Sequence, residues 1–171
     1  TRGPFSTQFM NYFPSPTGKP YYTFRQGPAY FIVLDSGEDK PDTDIEYGSL
    51  SAFDEYREEQ AKWLQEVVDS DEFKQAPVKM VVVHVPAFTS TWHGTLHVEE
   101  LFIPIPNKAG IDLMFSGHTH RYSYIEKGAK GNNFPLIVNG NRDIMDITVK
   151  GKTINVIIKD RDGKVIHTFN F

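Results

Sequence analysis

Cysteine is absent from the 171 residues. That excludes a disulfide framework, a zinc-thiolate site and a thiol nucleophile, and leaves nitrogen and oxygen as the donors for any metal. An excess of positive charge is missing too. Eighteen Lys and Arg stand against 22 Asp and Glu, a net charge of -4, so neither a nucleic acid nor an anionic membrane is an expected partner, since both need clustered cations. Long apolar runs do not occur: Met80 to Val83 and Ile154 to Ile158 fall far short of the ~20 residues that span a bilayer. Thr1-Arg2-Gly3-Pro4-Phe5 has neither an initiating Met nor the basic-then-apolar layout of an export signal, which leads us to expect a processed or cut chain. Localisation stays open, because exported proteins need not carry disulfides.

Aromatic residues, by contrast, are plentiful. Thirteen Phe and eight Tyr within a hydrophobic share of 39% supply large buried area per residue and point to a globular chain. The length suits one domain, residues 1–171, able to bury a sizeable core. Residues 1–27 mix Pro, Gly and rings, and predict loops with a short strand at Tyr21–Arg25. Ala29 to Leu34 reads as a strand buried on both faces, closed by Asp35-Ser36-Gly37. Ser51-Ala52-Phe53-Asp54 fits a capping box ahead of an amphipathic helix carrying Phe53, Tyr56, Trp63, Leu64, Val67 and Val68. Val78 to His84 and Ile111 to Phe115 predict two more buried strands. This alternation is that of an α/β (α+β) chain with a mixed sheet. From Phe134 onward four strands without helices (134–138, 143–149, 153–159 and 165–171) predict an antiparallel β-meander.

Three of the six histidines fall at predicted strand ends. His84 closes Val81-Val82-Val83, and His118 and His120 follow Leu113-Met114-Phe115 through Ser116-Gly117. Parallel neighbouring strands would bring both ends to one edge of the sheet, where open α/β sheets collect ligands. Gly117 would allow a sharp turn and close backbone approach there. By position alone the three fit either a metal site, imidazole being the commonest protein ligand, or ordinary polar histidines near the surface.

The wording around them is more specific. Val81-Val82-Val83-His84-Val85-Pro86 and Phe115-Ser116-Gly117-His118-Thr119-His120 resemble the last two signature blocks of calcineurin-like metallophosphoesterases, with the purple acid phosphatases as a possible branch. Tyr21-Tyr22-Thr23-Phe24, Tyr30 to Ser36 and Gln60-Ala61-Lys62-Trp63-Leu64 resemble the stretch that precedes those blocks, so nearly the whole chain is similar to the family's C-terminal portion. The resemblance implies the C-terminal half of a four-layer αββα sandwich. It implies hydrolysis of phosphate mono- or diesters at two divalent ions (Mn, Zn, Fe or Mg), with His84 and His118 on the second metal and His120 on the first. The Asp-x-His, Gly-Asp and Gly-Asn-His-Asp/Glu blocks that supply the carboxylates and asparagine do not occur in these residues. The chain is therefore expected to be a truncated and inactive fragment holding at most one metal, to await its N-terminal half, and to self-associate through a sheet face bared by the missing half. His93, nine residues after His84, is similar in position to a histidine that contacts phosphate or protonates the leaving group in purple acid phosphatases. His97 is expected to begin a short helix, His167 to lie in the meander, and Arg121 to stay outside the site. A different class of function, a non-catalytic metal-binding or interaction module on the same fold, is carried alongside, as is a purely structural role.

Overall fold

The computed structural model describes residues 11–171; the first ten residues of the segment expected to form loops lie outside that range. From residue 22 onward the strands and α-helices run in the order β1 (Tyr22–Gln26), β2 (Ala29–Leu34), α1 (Phe53–Asp69), α2 (Asp71–Gln75), β3 (Val78–Val83), α3 (His93–Leu101), α4 (Pro104–Ala109), β4 (Leu113–Ser116), β5 (Ser123–Ile125), β6 (Leu136–Val138), β7 (Ile144–Lys150), β8 (Thr153–Lys159) and β9 (Val165–Asn170).

The first six strands make one mixed sheet ordered β1-β2-β3-β4-β6-β5. Its centre is parallel: Leu34 pairs with Val83, Val82 with Phe115, and Ser116 with Val138. The C-terminal ends of β2, β3, β4 and β6 therefore lie side by side. Antiparallel β1 and β5 flank them. On one face Ile32, Leu34, Val81, Val83, Met114 and Leu136 pack with Leu64, Phe73 and Phe102 of the helical layer, each fully buried Leu or Phe contributing about 1.5–3 kcal/mol. On the other, Met80, Leu113, Phe115 and Ile137 meet Ile154, Val156 and Ile158 of β8, in the antiparallel sheet β7-β8-β9.

Two expectations need correction here. The run at 134–138 does not join the meander; it enters the first sheet as β6, parallel to β4, because its three fully buried residues need cover on both faces. The sheet face expected to be bare is covered over much of its area by the chain's own second sheet. At the β1 edge an aromatic pair is open, Phe24, 36% exposed, stacking on Phe31 at 4.6 Å.

Helix α1 also starts differently from the capping box. Ala52 caps it with no side-chain bond, and Ser51 donates its hydroxyl to the Asp42 carbonyl. The cap comes from farther back in the chain: the Asp42 carboxylate accepts the N–H groups of Phe53 at 2.8 Å and Asp54 at 3.0 Å. Partial burial works to raise the pKa of Asp42, but those backbone N–H groups outweigh it and hold the carboxyl below its usual value. A folded pKa below the unfolded one gives stability that is complete above pH ~4 and lost as pH falls through the folded value. Asp42→Ala is expected to cost about 1 kcal/mol at pH 7, with the difference from wild type shrinking below pH ~3; urea unfolding at the two pH values measures both. Helix α3 begins at His93, not at His97, and α4 and β5 add elements that periodicity did not indicate. They are short, and Pro104 at the start of α4 fits its missing N–H.

Candidate metal centre

Because β2, β3, β4 and β6 end together, the segments leaving them share one edge. His84 follows β3, His118 and His120 follow β4, and Asp35 to Asp39 follow β2. The Gly117 N–H donates to the His84 carbonyl at 3.1 Å, tying two of these loops directly. Gly117 itself has no positive φ; the left-handed backbone falls on His118 (φ 65) and His120 (φ 60). A β-carbon at 117 would meet His84 Nδ1 at 3.7 Å, an ordinary contact. Where a sharp turn was expected at the glycine, the left-handed backbone sits on the two histidines, at ~1–3 kcal/mol each, a cost that tends to persist where function requires it.

His84 Nε2 and His118 Nδ1 lie 3.4 Å apart, their rings nearly perpendicular at 88°. With metal-nitrogen bonds of about 2.0–2.1 Å, two ligands on one tetrahedral ion stand roughly 3.3–3.4 Å from each other, so the donor pair fits a divalent cation in type and spacing. Partial desolvation, and secondarily the neighbouring His118, lower the pKa of His84 and favour the neutral ring that a metal requires. The far nitrogen of His118, Nε2, is 3.2 Å from Asp39 Oδ2. Among the described residues, the other Asp39 oxygen, Oδ1, is buried without a partner, as are Ser116 Oγ and Asn139 Oδ1 at the same strand ends. His120 does not join the pair. Among the described residues, the one group of three or more potential ligands whose donor atoms lie within 4.8 Å of one another is Asp54, His93 and His97, and His120 is exposed.

That second group is built around an arginine. His93 Nε2 approaches Asp54 Oδ1 at 2.7 Å and His97 Nδ1 approaches the same oxygen at 3.2 Å. Arg57 Nη1 donates to that oxygen too, at 2.7 Å, and lies 3.3 Å from His97 Nδ1. A guanidinium already holds the place a cation would take, so the cluster is a charge-assisted hydrogen-bond network. Arg57 is fully buried, and that burial lowers its pKa against the pull of Asp54. Its Nε donates to the Ser36 carbonyl at 2.8 Å and its Nη2 to the Glu38 carbonyl. One turn on, Gln60 accepts the Asp35 N–H at 2.9 Å and donates to the Asp35 carbonyl at 2.6 Å. Helix α1 thereby clamps the loop that carries Asp39.

Helix α3 closes on the same loop. The Gly94 N–H donates to the Asp39 carbonyl at 2.7 Å, and a β-carbon at 94 would sit 2.6 Å from Asp39 Cα and 2.7 Å from the Glu38 carbonyl oxygen. Gly94→Ala is expected to destabilise the chain by about 1–3 kcal/mol, because backbone and not a flexible side chain must yield; thermal unfolding checks it. The residue that follows His93 thus bonds the main chain of Asp39, whose side chain meets His118. His167 stacks on Tyr122 at 3.8 Å within β9, as a packing residue. Asp39, Asp54 and Arg57 were not found by sequence reasoning. Arg57 left a signal, since with Gln60, Leu64 and Val68 it completes the buried stripe of α1, where a charge demands partners.

Comparison with known proteins follows the same outline. The chain is 30% identical over 115 residues to an acid phosphatase of Aspergillus ficuum, covering 63% of this chain and 17% of that protein. It is 25% identical over 118 residues to purple acid phosphatase 18 of Arabidopsis thaliana, covering 67% of this chain and 24% of that protein. It thus spans a quarter or less of either relative. Among solved structures, the purple acid phosphatase PPD1 from yellow lupin (Lupinus luteus) seeds matches 92% of this chain and 33% of its own, with a TM-score of 0.60 at 12% identity. GAP50 of Plasmodium, the anchor in the inner membrane complex, matches 88% and 52% with a TM-score of 0.50 at 16% identity; both show likeness of fold. The calcineurin-like phosphoesterase family matches residues 3–122 of the 171, a span that runs from before β1 to beyond His120 and takes in the ends of β2, β3 and β4, and the chain belongs to that family.

Proposed function

We propose that the chain serves in the hydrolysis of phosphate mono- or diesters at a two-metal centre, contributing His84 and His118 to one ion and His120 to the other. The observation that carries this reading is the 3.4 Å separation of His84 Nε2 and His118 Nδ1 at the shared edge of parallel strands. Bound divalent ions would supply an activated water and neutralise charge on the phosphoryl group. The chain's own residues hold and orient. His84 and His118 offer neutral ring nitrogens, and the exposed His120 would serve the other ion. His93, its Nε2 on Asp54, keeps Nδ1 to hold a proton for the leaving oxygen, a task suited to an imidazole near neutral pH.

Since the Asp-x-His, Gly-Asp and Gly-Asn-His blocks do not occur in the 171 residues, the carboxylate ligands of such a centre would have to come from another segment. The aromatic edge at Phe24 and Phe31 is where such a segment, or a second copy, would dock; dimer formation by light scattering at micromolar concentration is expected, and its loss in Phe24→Lys. Turnover of p-nitrophenyl phosphate is expected to be near background for the chain with zinc or manganese, and to rise when a polypeptide carrying the missing blocks is added. A chain that binds metal yet gains nothing from that addition would instead be a non-catalytic metal-binding module.

A further inference from the structure

We propose that Asp39 is the positioning residue of the metal centre, holding His118 by its Nε2 so that Nδ1 faces His84, and that Arg57 fixes the loop from which Asp39 acts. The proposal rests on the reading of His84 and His118 as metal ligands and adds to it a residue outside the ligand positions implied by the family resemblance.

The argument begins with hydrogen-bond chemistry. An ionised carboxylate can only accept, so an Asp39 oxygen 3.2 Å from His118 Nε2 requires the ring proton on that nitrogen. The lone pair is then left on Nδ1, the nitrogen that lies 3.4 Å from His84 Nε2. A carboxylate behind a ligating imidazole selects its tautomer, fixes its rotation and raises its basicity. Selection of this kind demands that the carboxylate itself not wander. Asp39 is 14% exposed against 31% for His118, and its main chain is held from three sides: by Arg57 at the Ser36 and Glu38 carbonyls, by Gln60 at both polar groups of Asp35, and by the Gly94 N–H at Asp39 itself. Ser36 extends the hold to the next loop, its hydroxyl accepting the Val85 N–H at 3.2 Å, one residue beyond His84. A fully buried arginine with two of its nitrogens on loop carbonyls is costly to place, and here it holds the loop from which Asp39 reaches His118.

The test uses the 171-residue chain and its Asp39→Ala and Asp39→Asn variants, with circular dichroism to confirm folding. Long-range proton–nitrogen NMR of the metal-free proteins reports the His118 tautomer, and calorimetric titration with zinc reports affinity. In the wild type His118 should be protonated at Nε2. Asp39→Ala should show mixed tautomers and bind zinc about 10–100-fold more weakly, and Asp39→Asn, which keeps an acceptor oxygen and the shape, should recover most of both. Unchanged tautomer and unchanged affinity in Asp39→Ala, with a wild type that binds zinc, would overturn the role of Asp39. A wild type silent towards zinc overturns the metal reading instead, while the tautomer of His118 still decides whether Asp39 holds the ring.

Discussion

Zinc affinity is expected to fall by more than about 100-fold when His84 and His118 are both replaced by alanine, beyond the range typical of losing a residue that only hydrogen-bonds a ligand. The single variants should come close to the double one. Two nitrogens at 3.4 Å act as a unit, and removing either leaves one imidazole that a solvated ion has little reason to prefer over water; contacts of this kind are strongly non-additive. His120→Ala should change affinity by less than about 3-fold in this chain, because its ring stands apart from the pair. His97→Ala should also leave zinc binding near wild type, since Arg57 lies 3.3 Å from His97 Nδ1 and occupies that cluster. Calorimetry on the five variants separates these outcomes, and a loss concentrated at His97 would move the metal to Asp54, His93 and His97.

The second large effect is expected at Arg57. Arg57→Met keeps volume and removes the guanidinium, leaving the Ser36 and Glu38 carbonyls without their donor and Asp54 without its nearest cation. Truncating one side of a buried ion pair costs about 3–5 kcal/mol. Asp54 is 38% exposed and can recover some hydration, so the lower end applies, roughly 3 kcal/mol, or a fall in Tm of ~6–12 °C for a chain of this size. Arg57→Lys should rescue little, because a point charge cannot reach two carbonyls and a carboxylate from one place. Differential scanning calorimetry tests the stability change, and zinc titration of the surviving folded fraction tests whether loosening the Asp39 loop weakens the His pair.

How far the sequence foretold this arrangement depended on the range of the interaction. Buried strands at Ala29 to Leu34 and around Met80 to Val83 were legible because residues covered on both faces must be continuously apolar. The parallel alternation then carried His84 and His118 to one edge, and their meeting was the expected consequence. The placement of 134–138 was not legible: three apolar residues suit a meander as well as a sheet interior, and pairing with β4 is a tertiary choice. The cap of α1 was misassigned to Ser51 because a local motif was present while the carboxylate that takes those N–H groups, Asp42, lies outside it. Asp39 was hidden for a related reason. An acidic loop residue is ordinarily solvated, and only the closure of α1 and α3 on 35–39 turns this one towards a histidine 79 positions away. The left-handed backbone of His118 and His120 had no sequence signal either, since glycine, the usual bearer, stood next to them.

The central claim is that one ion sits between residues 84 and 118, and anomalous scattering from crystals of the chain grown with zinc locates that ion directly. The account predicts a single strong peak about 2.0–2.1 Å from both His84 Nε2 and His118 Nδ1, with Asp39 still on the opposite nitrogen of His118. A peak confined to Asp54, His93 and His97, with the 84–118 pair bare at saturating zinc, would contradict it.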